Sequence, residues 1–235
     1  MLTLPGFNFC HDILSANHCL IGGCTGSGKS NLLNCVLYTL TGYNPEYNQC
    51  IIIDLKRIDF TQWQKFPHIA KIVKDPGLVN AYLDLVISEM YDRYSEMERN
   101  ETNICNRCTL YVIIDEFAQV LTIPGTEQKI IELGRLARAA DIHVILGTQD
   151  CSKKTISAQI QQNFVYTVGL KCKDKVASKQ VIGKYGLEKL PKYGKAIVCN
   201  GMDYNEIEIP FITKSDIQKR YEETMQYYNL KEKAL

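Results

Sequence analysis

Between Gly23 and Ser30 the chain reads GCTGSGKS, a run of glycines closed by a lysine and a hydroxyl. Every fixed position of G-x-x-x-x-G-K-[ST] is filled. The run lies between an apolar stretch, HCLIGG, and what reads as a helix. That context is the one in which the pattern works. Glycines let successive backbone N–H groups turn inward around an anion, and the helix N-terminus adds positive potential. The spacing predicts a triphosphate cradle of Gly23, Cys24, Thr25, Gly26, Ser27, Gly28, Lys29, Ser30 and Asn31. Lys29 is expected to reach the β- and γ-phosphates of ATP, and the Ser30 hydroxyl to ligate Mg2+.

Such a loop needs an acidic element on a neighbouring strand, and LYVIIDEF supplies it. Asp115 and Glu116 follow an apolar run, at the strand end where open α/β sheets bind ligands. Asp115 is expected to hold Mg2+ through its water shell, and Glu116 to polarise the attacking water. An aspartate alone would leave hydrolysis open; the Asp-Glu pair favours an ATPase over a nucleotide-binding switch. A third strand, IHVILGTQ, ends in Thr148-Gln149. There the Gln149 amide is placed to touch the γ-phosphate or the water and to report hydrolysis.

Five β-type runs must position these groups: HCLIGG, QCIIIDL, TLYVIIDEF, IHVILGTQ and FVYTVGL. The near-continuous Ile/Val/Leu character of the middle three predicts strands buried on both faces of a parallel sheet. Helices are expected at 30–40, 78–98 and 128–140. The second places Leu78, Tyr82, Leu85, Val86, Met90 and Tyr94 on one side. Strand–helix alternation is the signature of a doubly wound α/β domain. After Gly194, KAIVCN and GMDYNEIEIP read as a β-hairpin turning near Asn200-Gly201. A last amphipathic helix is expected over about 215–230, with Ser215 as its N-cap. The loop RNETNICNRC is polar and expected to be exposed. No repeat or long linker divides the chain, so one domain over 1–235 is expected.

Hydrophobic content of 46% and charged content of 23% are ordinary for a soluble protein, and the apolar runs are too short to span a bilayer. No secretory signal is visible, so a cytoplasmic setting is expected, with any membrane link supplied by a partner. Ten cysteines scattered through strands and helices point to a reduced interior rather than a disulfide scaffold. Cys24 occupies a variable position of the glycine-rich loop and needs no redox role. Cys105 and Cys108 form the one close pair, and a zinc site there would need two further ligands. The net charge of +1 hides a lysine-rich stretch over 153–195, opposed only by Asp174 and Glu188. Such a stretch is either a solvated face or an electrostatic footprint for nucleic acid.

The order of these pieces resembles the motor domain of the FtsK/SpoIIIE family of DNA translocases, within the HerA/FtsK group of RecA-like ATPases. GCTGSGKS is close to that family's loop. IIIDLKRIDF is similar to its second strand, where Asp54 and Lys56 match and Leu55 replaces a proline. ISEMYDRYSEM matches a family helix through Glu89, Met90, Arg93 and Tyr94. LGRLARAADIHVILGTQ is the longest ordered match, with Arg138-Ala139-Ala140, Ile142-His143 and Thr148-Gln149. The resemblance spans roughly 16–212. The chain departs from it after Gln149, where Asp150-Cys151 stand in place of Arg-Pro. The family's winged-helix module, membrane anchor and additional N-terminal subdomain are not matched.

What the resemblance implies is a RecA-like P-loop NTPase: a mostly parallel sheet with helices on both faces, ending in the hairpin and helix. It implies a ring, six-membered in expectation, that threads double-stranded DNA and binds ATP between subunits. An arginine from the neighbour would complete each site, with Arg138 the first candidate and Arg135 the second. For DNA, backbone-directed lysines are expected. Lys153 and Lys154 lie in the loop beyond Gln149, and Lys171, Lys173 and Lys175 form a second group. A translocase of a mobile element, phage or chromosome-segregation system leads, with membrane-bound or recombination partners such as relaxases. A secretion-type ATPase that moves protein, and a weakly hydrolysing assembly module, are the alternatives.

Overall fold

The apolar runs assemble into one eight-stranded sheet in a computed structural model that describes residues 8–232, with side chains through Tyr227. In chain order the elements are α1 (Asn8–Ser15), β1 (His18–Gly22), α2 (Lys29–Leu40), β2 (Asn48–Ile53), β3 (Ile69–Val73), α3 (Pro76–Arg99), β4 (Thr109–Ile114), α4 (Phe117–Val120) and α5 (Thr126–Leu136). They continue with β5 (Ile142–Thr148), α6 (Ala158–Asn163), β6 (Tyr166–Gly169), α7 (Lys175–Ile182), β7 (Lys195–Cys199), β8 (Tyr204–Glu208) and α8 (Lys214–Glu232). The strand order is β3-β2-β4-β5-β1-β6-β7-β8. The strands from β3 to β6 in that order pair in parallel, and β7 and β8 add antiparallel. The parallel strands therefore end at one edge, and the segments after β1, β2, β4, β5 and β6 gather there. Register brings them level: Ile114 pairs with Ile53 and Leu146, and Gly22 with Thr148 and Gly169.

The central strands of the sheet are buried on both faces. Every residue of β1 and β5 is buried, which is why those runs carry no polar alternation. One face packs α1, α2 and Ile217 of α8 around Phe60, Trp63 and Phe66. The other packs α3, α5, α6 and α7. Each fully buried aliphatic or aromatic side chain contributes about 1.5–3 kcal/mol.

The long helix α3 buries or packs Tyr82, Val86, Met90 and Tyr94 of the expected side, but not Leu78 or Leu85. Its buried stripe is Val79, Leu83, Val86, Met90, Arg93 and Met97, while Leu78 and Leu85 are exposed. An arginine belongs in that stripe because its guanidinium is hydrogen-bonded through Nη1 and Nε. Arg93 Nη1 donates to the Ala140 carbonyl at 2.8 Å, and Nε donates to Glu89 at 2.8 Å. Tyr94 donates to the Leu136 carbonyl. These residues carried part of the family resemblance, and here they anchor the segment that leads into β5. That segment is not one helix over 128–140. It leaves the α conformation at Leu136 and tightens into a 3-10 turn over Ala137–Ala140, before Asp141 at φ 53°.

Other boundaries follow from capping. Asp75 accepts from the Gly77 N–H at 2.9 Å with Pro76 in the first helical turn, which opens α3. The cap of α8 is Thr213, not Ser215. Thr213 Oγ1 accepts from the Asp216 N–H at 3.2 Å, and Asp216 accepts back from the Thr213 N–H at 2.8 Å. The hairpin forms as expected, β7 against β8. The sequence pattern did not reveal β3, a short edge strand, nor the short helices α1, α6 and α7.

His18, at the start of β1, accepts from the Val144 N–H at 3.1 Å through Nδ1, and its Nε2 is buried without a partner. Burial first, then His143 and Arg138, lower its pKa to about 4. A depressed histidine pKa means that the folded state prefers the neutral ring, so stability is full above the unfolded value near 6.5 and falls as pH drops toward 4. Urea unfolding should show a loss of roughly 1 kcal/mol between pH 7.5 and pH 5.5 from this group. His68, lowered mainly by burial, acts in the same direction. A His18→Gln variant should show a shallower pH dependence.

Candidate active site

The loop from Gly23 to Ser30 sits at the sheet edge, held on both sides by backbone. The Gly23 N–H donates to the Thr148 carbonyl at 3.2 Å, and the Cys24 N–H to the Lys171 carbonyl at 2.8 Å. Gly26 and Gly28 have φ of 74° and 97°, a left-handed conformation that a side chain would strain. Gly28 is the N-cap of α2, and nothing lies within 4 Å of where its Cβ would be. The loop is thus an open concavity under a helix N-terminus, as the sequence pattern requires.

Lys29 is buried, and its ammonium donates to Asp115 Oδ1 at 2.5 Å and to the Asp115 carbonyl at 2.5 Å. A second cation joins them. Lys56 Nζ lies 3.3 Å from Asp115 Oδ2 and 3.4 Å from Glu116 Oε2. Burial alone would lower the Lys56 pKa, but Asp115 and Glu116 outweigh it and hold the group above its ordinary value. Glu116 is fixed at its other oxygen, where Oε1 accepts from Thr148 Oγ1 at 3.1 Å and from the Gln149 N–H at 3.0 Å. The Gln149 side chain in turn accepts from Thr25 Oγ1 at 2.9 Å. One polar chain therefore runs Thr25–Gln149–Glu116–Lys56–Asp115–Lys29, from one end of the loop to the other.

Ser30 Oγ donates to Asp59 at 3.1 Å rather than to Asp115. Asp115 Oδ2 is buried and has no hydrogen bond, the Lys56 contact lacking that geometry. A buried carboxylate oxygen left open beside a hydroxyl-bearing loop fits a hard divalent cation. Mg2+ held there by Ser30 and Asp115 would supply charge neutralisation at the phosphates. Among the described residues no three His, Cys, Asp or Glu side chains group as an all-protein metal cage, at Cys105 and Cys108 or elsewhere. Asp54, the buried acid at the end of β2, accepts from the Arg57 N–H at 3.0 Å, and burial first of all raises its pKa.

Not every expected residue joins the site. Both ends of the Asn31 amide are engaged elsewhere: it donates to the Pro210 carbonyl at 2.8 Å and accepts from the Ile212 N–H at 3.0 Å. Only its backbone N–H remains for an anion. Arg135 and Arg138 are exposed, and they precede β5, so they lie at the opposite sheet edge from Lys29. Among the described residues neither makes an ion pair, and each lies in the last turn of its own helical segment. Lys153, Lys154, Lys173 and Lys175 are exposed at the loop's edge of the sheet. Lys171 donates to the Glu188 carbonyl at 2.7 Å.

Three residues near the site escaped the sequence reading as site residues. Lys56 was noted only as a family match. Asp59 lies three residues beyond it. Lys192 crosses the loop from the segment before β7, its Cε 3.5 Å from where a Gly26 Cβ would stand. The available signal was the run DLKRID, whose charges follow an apolar strand in the same way as IIDE. Removing the Lys56 charge leaves Asp115 with Lys29 alone and Glu116 with no cation beside it among the described residues, so that two neighbouring carboxylates face one ammonium. A Lys56→Met variant should lose roughly 1–2 kcal/mol, seen as a lower urea midpoint at unchanged slope.

Comparison with known proteins finds similar sequences and similar folds. A sequence model of the FtsK/SpoIIIE family matches residues 5–107, which include the loop and the DLKRID segment. The DNA translocase FtsK of Rhizobium meliloti is 26% identical over 92% of this chain and 30% of its own length. That of Mesorhizobium japonicum is 28% identical over 92% and 30%. The chain thus spans less than a third of the length of these curated relatives. Among solved structures, the pCW3 conjugation coupling protein TcpA, in its monomer form with ATPγS, superposes with a TM-score of 0.76. It has 22% identity, covering 88% of this chain and 66% of that one. EssC (ATPases 2 and 3) of Geobacillus thermodenitrificans gives a TM-score of 0.78 at 18% identity, over 91% and 45%. These likenesses establish a RecA-like P-loop ATPase fold. With the sequence matches, they make the chain a P-loop ATPase that is similar, over residues 5–107, to the FtsK/SpoIIIE family.

Proposed function

We propose that this chain is an ATP-driven motor that moves double-stranded DNA, working as one domain in a ring with ATP at the subunit boundaries. The observation that carries the reading is the polar chain from Thr25 to Lys29. It joins the phosphate loop, the base and the Gln149 strand end in one unit. The relatives matched over 92% of the chain are named DNA translocases.

The residues divide the work. Backbone N–H groups of the loop and the α2 N-terminus bind the phosphates, which draw Lys29 from Asp115 to the β- and γ-oxygens. Asp115 is then left to Lys56 and to Mg2+. Glu116, oriented by Thr148 and the Gln149 N–H, takes a proton from the attacking water. Gln149 carries the change at the γ-phosphate to the loop bearing Lys153 and Lys154. Arg138, with Arg135 second, is exposed at the far edge and so free to enter a neighbour's site, not its own. Lys153, Lys154, Lys173 and Lys175 meet the DNA backbone; Lys171, tied to Glu188, contributes least. A ring of this kind works in the cytoplasm, on DNA delivered by membrane-bound or recombination partners; no helix among the described residues is long and apolar enough to cross a membrane.

Steady-state ATP hydrolysis tests the reading. Double-stranded DNA should raise the rate about tenfold or more at low salt, and the stimulation should fade as salt rises and phosphate contacts are screened. Stimulation by a peptide and not by DNA would make the chain a secretion-type ATPase instead.

A further inference from the structure

Cys24, Cys151 and Cys172 are remote in sequence and converge on one cleft beside the ATP site. Cys24 is in the phosphate loop, Cys151 follows Gln149 by two residues, and Cys172 lies just past the end of β6. With Gln149, Asp150 and Lys173 they line a cleft of about 320 Å³. The loop backbone is bonded to both strand ends that carry the other two thiols, through Thr148 and Lys171. The segment bearing Cys151 is pinned as well. Asp150 accepts from the Ser152 N–H at 3.1 Å and from Thr155 Oγ1 at 2.6 Å.

The two thiols differ in a useful way. Cys151 is half-buried at the cleft, whereas Cys172 is 1% exposed. Both line the same cleft, and the Cys151 thiol first, then burial, pushes the Cys172 pKa up. Of the other described cysteines, Cys10, Cys19, Cys35, Cys50 and Cys199 are buried in the body of the fold. In a chain whose cysteines are otherwise free, a half-accessible thiol backed by a buried neighbour is the arrangement of a labile bridge, not a structural one.

We propose that Cys151 and Cys172, which line the same cleft, form an oxidisable dithiol site, which a peroxide converts to a disulfide that restrains the Gln149 segment and slows ATP turnover. The Cys151 sulfur attacks the peroxide; an S–O bond forms, the O–O bond breaks, and the leaving hydroxide takes the thiol proton as water. Cys151 is then a sulfenic acid. The Cys172 sulfur displaces that hydroxyl, the S–S bond forms, the S–O bond breaks, and the Cys172 proton leaves in a second water. Two thiols and one hydrogen peroxide give one disulfide and two waters, with two electrons passing to the peroxide.

The bridge acts two residues from Gln149, whose N–H holds Glu116 and whose side chain holds Thr25. Tying Cys151 to the β6 end opposes any movement of Gln149 when the γ-phosphate is lost. Thiol exchange reverses it. The proposal rests on the ATPase reading only for its effect on turnover; the bridge itself is read separately.

The reduced full chain is treated with equimolar hydrogen peroxide, alkylated, and mapped as peptides without reductant, with turnover measured before, after, and after added dithiothreitol. The expected map joins the Cys151 and Cys172 peptides at a mass two hydrogens below their sum. Turnover should fall about fivefold or more and return with dithiothreitol. Cys151→Ser and Cys172→Ala should each keep their turnover through the peroxide step. Absence of the joined peptide overturns the proposal, as does a joined peptide at unchanged turnover, or an equal loss in both variants. If the reduced chain turns over no ATP, the ATPase reading fails, and the map alone decides the dithiol site.

Discussion

Glu116→Gln should abolish steady-state ATP hydrolysis while leaving ATP bound. Both Glu116 oxygens are accounted for: Oε1 takes two hydrogen bonds, from Thr148 and the Gln149 N–H, and Oε2 faces Lys56. An amide keeps the shape and can still accept through its oxygen, so the site stays assembled. What it loses is the capacity to accept the proton of an attacking water. A positioned general base contributes about 10²–10⁴ in rate, so turnover should drop at least a hundredfold. A fluorescent ATP analogue should bind the variant within about threefold of the parent affinity, a difference of about 0.7 kcal/mol. Parent-like turnover in this variant would move the base elsewhere.

Lys29→Ala should have the other large effect, on binding and on the fold together. Lys29 and Asp115 have side chains 2% and 1% exposed, in contact at 2.5 Å. Removing the ammonium takes away the cation meant for the β- and γ-phosphates and strips Asp115 Oδ1 of its partner. Breaking one side of a buried pair costs about 3–5 kcal/mol, and Lys56 keeps the loss near the lower end. ATP affinity should fall about a hundredfold or more with the loss of that charge–phosphate contact. The two consequences separate in the double variant Lys29→Ala/Asp115→Asn, which neutralises the stranded carboxylate. It should regain at least half of the lost unfolding free energy and still bind ATP poorly. Full loss of stability in both would mean that Asp115 is not what Lys29 holds.

Much of this site could be read from the sequence because its parts are local. GCTGSGKS is contiguous and must bend as it does, and IIDE and LGTQ place polar groups directly after buried strands. What the sequence could not show is convergence. Lys56 reaches Asp115 only because β2 and β4 are adjacent and in register, Ile53 beside Ile114. Lys192 reaches the loop from nearly the far end of the chain. Cys24 looked incidental because nothing linear ties it to Cys151 and Cys172. The two misplaced leucines of α3 have a similar origin. Residue type alone put Leu78 and Leu85 inside and left Arg93 out, yet Arg93 had carbonyls of the turn before β5 to satisfy. At Asn31 a tertiary contact with Pro210 and Ile212 claims the side chain, which the motif could not show, and leaves the backbone N–H to the loop.

The alternation of strand and helix predicted the parallel sheet, the family resemblance implied its RecA-like form, and the switch to a hairpin after Gly194 was visible in the pattern of residues. The short edge strand β3 was not, since two of its five residues are exposed and it follows Pro67-His68 without a clear run.

The measurement that bears most directly on the motor reading is displacement of a third strand from triplex DNA. The assembled chain, ATP and Mg2+ are added to a duplex carrying a labelled third strand some distance from its end. Release should require ATP, be absent with the Glu116→Gln variant, and slow as the intervening duplex is lengthened. Hydrolysis of ATP by the same preparation with no release of the third strand would contradict DNA movement by this chain.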